Sequence, residues 1–219
     1  MADDFDLQEH VARFRREDQS IVDALAKAGV SATSIEEFVN ERRRYPDAIP
    51  TLIEMLGKVQ YPPVKESLAR ALGVREAKGK AEAALVSEYE KALDLQGRGI
   101  NSLLWAIGNT LYIISSKRLV EPLLRLLEDP RGGSSKQMMA LAAAKTKDER
   151  FIPILLGMLD RGECPGHVAI ALGKLKSQEA IGRLRKLAKD KTRTSWVRRE
   201  ARKALDRIGA ELEEEPTVN

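Results

Sequence analysis

A short apolar ladder, followed by a small helix ending in Ala-Leu-Gly or a variant, recurs along this 219-residue chain. The ladders begin at Ile49, Leu85, Val120, Ile152 and Ile181. The second signature reads Ala71-Leu72-Gly73, Ala106-Ile107-Gly108, Ala142-Ala143-Ala144, Ala171-Leu172-Gly173 and Ala204-Leu205-Asp206. Successive signature alanines are 35, 36, 29 and 33 residues apart. A helical hairpin of that length cannot bury its apolar face alone and must stack on its neighbours, so the period predicts an all-α solenoid. Solenoids are surfaces for holding partners, and the fold does not name the partner.

The helices are read from spacing. Ile49, Leu52, Ile53 and Leu56 fall at i, i+3, i+4 and i+7, as do Val120, Leu123, Leu124 and Leu127, and Ile152, Leu155, Leu156 and Leu159. That is one face of a helix. Pro50, Pro122 and Pro153 lie within first turns, where a missing N–H costs little. Leu68, Leu103, Met139, Val168 and Ala201 stand three residues before the signature alanines, which allow neighbouring helices to approach. Gly73, Gly108 and Gly173 either admit a close backbone or help to stop a helix. The second ladder is the weakest, with Glu88 where leucine is expected, so residues 76–96 are read as helical with an open register.

Residues 1–45 lie outside the repeat and read as helices near 5–16, 18–28 and 34–43, with Ser34 and Glu37 at capping-box spacing. This segment is expected to cap the first apolar layer. The repeat region spans 46–210, and an acidic tail, 211–219, follows. Arg185 replaces an apolar ladder residue, as expected of a last helix without a further neighbour.

YPDAIPTLIEMLGK, RFIPILLGMLDRG, GHVAIALGKLKSQEAIGRLRKL and SWVRREARKALDRIG resemble bacterial HEAT repeats, similar to those of phycobilisome lyase subunits. With VDALAKAGV and LLWAIGN, the chain also looks like a group of bacterial HEAT-repeat proteins without an assigned activity. The resemblance covers roughly residues 45–210. It implies a right-handed α-solenoid of about five HEAT-like hairpins acting as a non-catalytic scaffold for another protein; a few relatives act on chromophores or DNA. A tetrapyrrole lyase-like or DNA-base-acting enzyme is therefore one alternative.

Chemistry is sparse. Cys164 is the only cysteine, so no internal disulfide forms, and its register with Val64 and Val197 predicts a buried structural thiol. His10 and His167 are far apart, and no cluster has zinc-ligand spacing, so neither a metal nor a cofactor is expected. His167 reads as a partly exposed helix residue. PRGGSSK at 130–136 lacks the spacing of a phosphate loop, and Ser134 or Ser135 reads instead as a helix cap. Asp94, Asp129, Asp148 and Asp160 fall near turns, where aspartate is common. No catalytic residue is singled out.

Two surfaces stand out. Trp105 shares its register with Arg70, Leu141, Ile170 and Lys203, on the helix that in HEAT-like stacks lines the concave face. With Asn101 and Asn109 it either forms a groove that anchors a peptide or fills a core gap beside the second repeat. Charge marks the other. Residues 1–41 carry ten acidic and four basic side chains, whereas 174–207 carry thirteen basic and four acidic ones. Arg198, Arg199, Arg202 and Lys203 share one helix, with Arg183, Lys186 and Lys189 before them and Trp196 one turn earlier. They form either a nucleic-acid-binding surface or a solvated outer face, with Trp196 covering the hairpin. The start shows no signal peptide and no apolar run reaches the ~20 residues a bilayer needs, so a cytoplasmic location without membrane contact is the expectation.

Overall fold

Asp6 opens the first helix. Its carboxylate accepts from the N–H groups of Gln8 (2.8 Å) and Glu9 (3.2 Å), and α1 runs Leu7–Lys27. The two helices expected here, near 5–16 and 18–28, are therefore one, since no glycine or proline lies between Leu7 and Lys27 to stop it. The computed structural model describes residues 6–40, 44–97 and 99–212. Among these there are twelve α-helices and no strand, and 74% of the chain is helical. By its contacts the chain divides into two compact units, residues 1–114 and 115–219.

In the first unit, α1 is followed by α2 (Glu36–Asn40), α3 (Ile49–Lys58), α4 (Pro62–Ala71), α5 (Glu82–Leu93) and α6 (Ile100–Ile113). The third expected helix, 34–43, begins at Glu36, and residues 41–43 lie outside the described residues. Its cap differs too. Ser34 Oγ accepts from Glu36 N, but Glu37 reaches back to the N–H and hydroxyl of Thr33, one residue earlier than a capping box requires. α1 packs on α3 and α4. Its acidic residues join the pieces: Glu17 accepts from Gln60 N and Tyr61 N (both 3.0 Å), and Asp18 from Ile35 N (2.8 Å).

α3 pairs with α4 and α5 with α6, while α3 also packs on α5 and α4 on α6. Ile49, Leu52 and Leu56 are fully buried, as are Leu68 and Leu72. Between α4 and α6 the Thr110 hydroxyl donates to Ala69 O at 2.8 Å. The Tyr45 hydroxyl lies within hydrogen-bond distance of both Phe38 O (2.9 Å) and Ala71 O (2.7 Å), which share its one proton, and burial pushes its pKa up to about 12. The register left open for the second ladder settles with Leu85, Tyr89 and Ala92 inward. The helix begins only at Glu82, after a 3-10 turn at Arg75–Ala77. Glu88 also points inward, at 3% exposure, and forms an ion pair with Lys65 of α4 and a second, at 2.7 Å, with Lys91. A carboxylate stands where leucine was expected because a lysine on the neighbouring hairpin meets it.

The second unit holds α7 (Val120–Glu128), α8 (Lys136–Thr146), α9 (Phe151–Asp160), α10 (Pro165–Lys174), α11 (Ile181–Lys189) and α12 (Ser195–Ile208). α7 pairs with α8, α9 with α10 and α11 with α12; α8, α10 and α12 pack in sequence. Leu172 is fully buried and Leu205 nearly so. A Cβ on Gly173 would lie 2.8 Å from both Cα and Cβ of Ala204, so this glycine admits the next backbone. Gly108 stops nothing; it is buried within α6. Arg185 is half-buried, its guanidinium donating to Glu211 O at 3.0 Å.

Truncating Leu172 to alanine should cost ~2–5 kcal/mol of unfolding free energy, the range for a buried leucine. Gly173→Ala should cost ~1–3 kcal/mol, because the atom in its way is backbone and α10 and α12 must separate. Urea denaturation measures both; losses below ~0.5 kcal/mol, typical of exposed sites, would contradict the packing.

Candidate functional site

α6 contains no charged residue, and the uncharged run extends from Gly99 to Ser116 in a chain that is 32% charged. Apolar positions Leu103, Ala106, Ile107 and Leu111 fix its inward face. At 100° per residue this turns Asn101, Trp105 and Asn109 outward along one side. Trp105 is 41% exposed and Ile113, two turns on, is 49% exposed. The core-filling reading of Trp105 therefore fails, since its indole stands at the surface. Asn101 is exposed and Asn109 half-buried, and neither side-chain amide has a hydrogen-bond partner among the described residues.

α4 supplies the rest of this face. The Arg70 guanidinium sits over the Trp105 ring, 5.7 Å from its centroid, within cation–π range. Glu66 holds that guanidinium through Nε (2.9 Å) and Nη2 (2.6 Å). Gly73 lies close by, where a Cβ would meet Ile113 Cδ1 at 3.3 Å. The shared register of Arg70 and Trp105 signalled this meeting; the exposure of Ile113 was not anticipated.

The basic residues of α12 are more engaged than their spacing suggested. Arg198 donates to Arg193 O at 2.6 Å, and Arg202 to Ala188 O at 3.3 Å, a carbonyl in the last turn of α11 without a helical partner. Arg199 and Lys203 lie on the adjoining side, and both reach Glu200, at 3.4 and 3.1 Å. Arg183 is matched to Asp160 by two hydrogen bonds of 2.7 and 2.9 Å. Trp196 lies tilted against the His167 ring, with ring centroids 5.1 Å apart and planes at 56°, and packs on Gly166, where a Cβ would come within 2.1 Å of the indole. It covers the hairpin, and Gly166 is the residue that permits this.

Beside it is a cleft of about 430 Å³ lined in part by Gly133, Gln137, Cys164, His167 and Trp196. Cys164 departs from its expected place. It is half-buried rather than buried, and it precedes α10 in a left-handed conformation (φ 45°) because Pro165 starts the helix after it. Burial raises its thiol pKa, which opposes nucleophilic use. Lys136, read within PRGGSSK, turns fully inward at 0% exposure. It donates to Leu127 O and Asp129 O, both at 3.1 Å, and pairs with Glu163 at 2.6 Å. Ser135 precedes α8 but does not cap it through its side chain; its hydroxyl donates to Gly132 O at 2.6 Å. Asp129 and Asp148 accept from Arg131 N and Arg150 N two residues on, the local turns expected of them.

Among the described residues, no group of three or more His, Cys, Asp or Glu side chains is placed to hold a metal, and no helix is long and apolar enough to cross a membrane. No known family model matches the chain, and no curated protein is similar enough to count as a relative.

Burial beside Trp196 lowers the pKa of His167 below its ordinary 6.5. The unfolded chain then binds the extra proton more readily, so this contribution to stability is complete above about pH 6.5 and is lost as pH falls below it. His167→Phe should keep the ring contact and remove the titration. The urea midpoint of the wild type should therefore drop further than that of the variant between about pH 7.5 and about pH 5. Equal drops would mean that the imidazole titrates as if exposed.

Proposed function

We propose that this protein is a non-catalytic scaffold that binds another protein, built as a right-handed α-solenoid of about five HEAT-like hairpins behind an N-terminal helical cap. The observation that carries the binding reading is the outer face of α6. A half-exposed indole, an exposed isoleucine and two uncommitted amides occupy it without a charge of their own. Large aromatics flanked by polar groups dominate the energetics of protein interfaces. The hairpin reading draws support from the pairing of consecutive helices and the burial of the residue after each of four signature alanines, Leu72, Ile107, Leu172 and Leu205.

Affinity capture from the native host, quantified by mass spectrometry with wild-type and Trp105→Ala baits, tests this function. A protein retained by the wild type should be lost with the variant, whose truncation weakens binding by ~2 kcal/mol or more while leaving the urea midpoint unchanged. Identical captures by the two baits would remove the indole from any partner surface.

A second reading is polyanion binding through the basic C-terminal helices, favoured by the net charge of +9 over residues 174–207. Arg198, Arg199, Arg202 and Lys203 have internal partners, so the affinity expected is weak, non-specific and steeply reduced by salt. Fluorescence anisotropy on random duplex and single-stranded DNA at two salt concentrations measures it. Charge reversal at the four positions should abolish any signal. Tight, salt-insensitive or sequence-selective binding would make nucleic acid the primary ligand. A lyase-like or base-acting enzyme stands third, because the cleft beside Trp196 offers a thiol disfavoured as thiolate, and the Glu163 carboxylate in its lining is held by Lys136 and Arg161.

A further inference from the structure

The Trp105 face already holds a ligand-like group, and that group is a cation. Arg70 places its guanidinium over the indole at 5.7 Å, and the Glu66 carboxylate neutralises it through two nitrogens. An aromatic face attracts a cation through its quadrupole, and the carboxylate that now holds the Arg70 guanidinium attracts one by its charge. A partner's lysine or arginine would find the same two groups. An acidic partner would find the opposite: α6 carries no cation, and the one that α4 brings to the ring is spent on Glu66. The surrounding sequence agrees in sign, with 18 acidic and 15 basic side chains over residues 1–114, against an excess of basic ones in the remainder.

The amides define the form of the occupant. Asn101 and Asn109 are eight residues apart on one helix, so their Cα atoms are about 12 Å apart along the axis, with Trp105 midway. An extended chain covers that distance in about four residues at ~3.3 Å each. Each amide offers both a donor and an acceptor, the complement of a backbone N–H and C=O, and neither is used among the described residues.

We infer that the Trp105 face binds an extended, basic segment of a partner protein, whose lysine or arginine takes the place of Arg70 on the indole between two backbone contacts from Asn101 and Asn109. This rests on the reading of the face as a protein-binding surface and adds the chemistry of the partner. Arg70 is then the internal competitor, and the sign of its deletion separates a basic partner from an acidic one.

The test is selection of a random nonapeptide display library on the full chain, followed by fluorescence anisotropy of labelled selected peptides. Selected sequences should share a lysine or arginine. Replacing it by norleucine should weaken binding roughly two- to fivefold, the weight of an exposed cation–π contact, and replacing it by glutamate should weaken it further. Arg70→Ala should tighten binding. Trp105→Ala should abolish it, and Trp105→Phe should retain part. Asn101→Ala and Asn109→Ala should each weaken it, all with unchanged urea midpoints. Selected peptides without a cation, looser binding to Arg70→Ala, binding indifferent to Trp105, or no enrichment would each overturn the inference. Peptides that need Trp105 but bind equally with norleucine would overturn it and leave the protein-binding reading intact. If neither peptides nor native proteins depend on Trp105, both fall.

Discussion

The close approach of second helices through small side chains is the constraint on which the rest of each unit depends. Within the second unit, Gly173 meets the backbone of Ala204, and a single methyl group there would force α10 and α12 apart. Within the first, α4 and α6 lie near enough for the Thr110 hydroxyl to reach a main-chain carbonyl at Ala69. Helices in such contact bury the residue after the signature alanine whichever aliphatic group it is, hence Leu72, Ile107, Leu172 and Leu205. The same contact dictates which side of each helix remains outside. Trp105 is exposed because Ala106 and Ile107 are not.

Charges buried between elements set the register where hydrophobic pattern gives out. Breaking a buried pair leaves an unpaired ion at a cost of several kcal/mol, so a helix that carries one half is held against the other half. Glu88 ties α5 to α4 through Lys65, and Lys136 ties the end of α7 to Glu163 before α10. Burial works against the Glu163 charge, yet the bonds from Arg161 and Lys136 together keep its carboxyl below its ordinary value. Both lysines sit near the start of a second helix. There they replace apolar contact by interactions that only one alignment of the hairpins satisfies.

The helices and the core were legible because both follow from period. Ladder spacing located α3, α7 and α9, and the alanine register located the buried leucines. Signals that depend on a partner elsewhere in the chain were not legible. Glu88 looked like a defect until Lys65 stood beside it, and Cys164 looked like a core valine until Pro165 moved the helix start past it. The stretch that forms α1 reads as two helices although it holds no helix breaker, since its polar residues Glu17 and Asp18 serve other segments' N–H groups. The register of Trp105 was legible, but not its exposure. One tryptophan two residues after an apolar anchor, Leu103, is compatible with either face, and only the burial of its neighbours decides between them.

Trp105 and Trp196 show why residue type alone does not mark a site. Both are aromatic, both lie on second helices, and each has a basic group or imidazole nearby. Trp196 meets a glycine whose missing Cβ leaves room for the indole, and the His167 ring lies tilted against it, so that ring is used as packing. Trp105 meets an arginine, whose flexible side chain can leave the ring without disturbing a helix. The difference is one of replaceability. An interior contact made by backbone or by a missing methyl group cannot be exchanged for a partner's group, whereas one made by the end of a long exposed side chain can. A surface aromatic that is covered only by such a side chain keeps its binding energy available, and among the two tryptophans of this chain only Trp105 meets that condition.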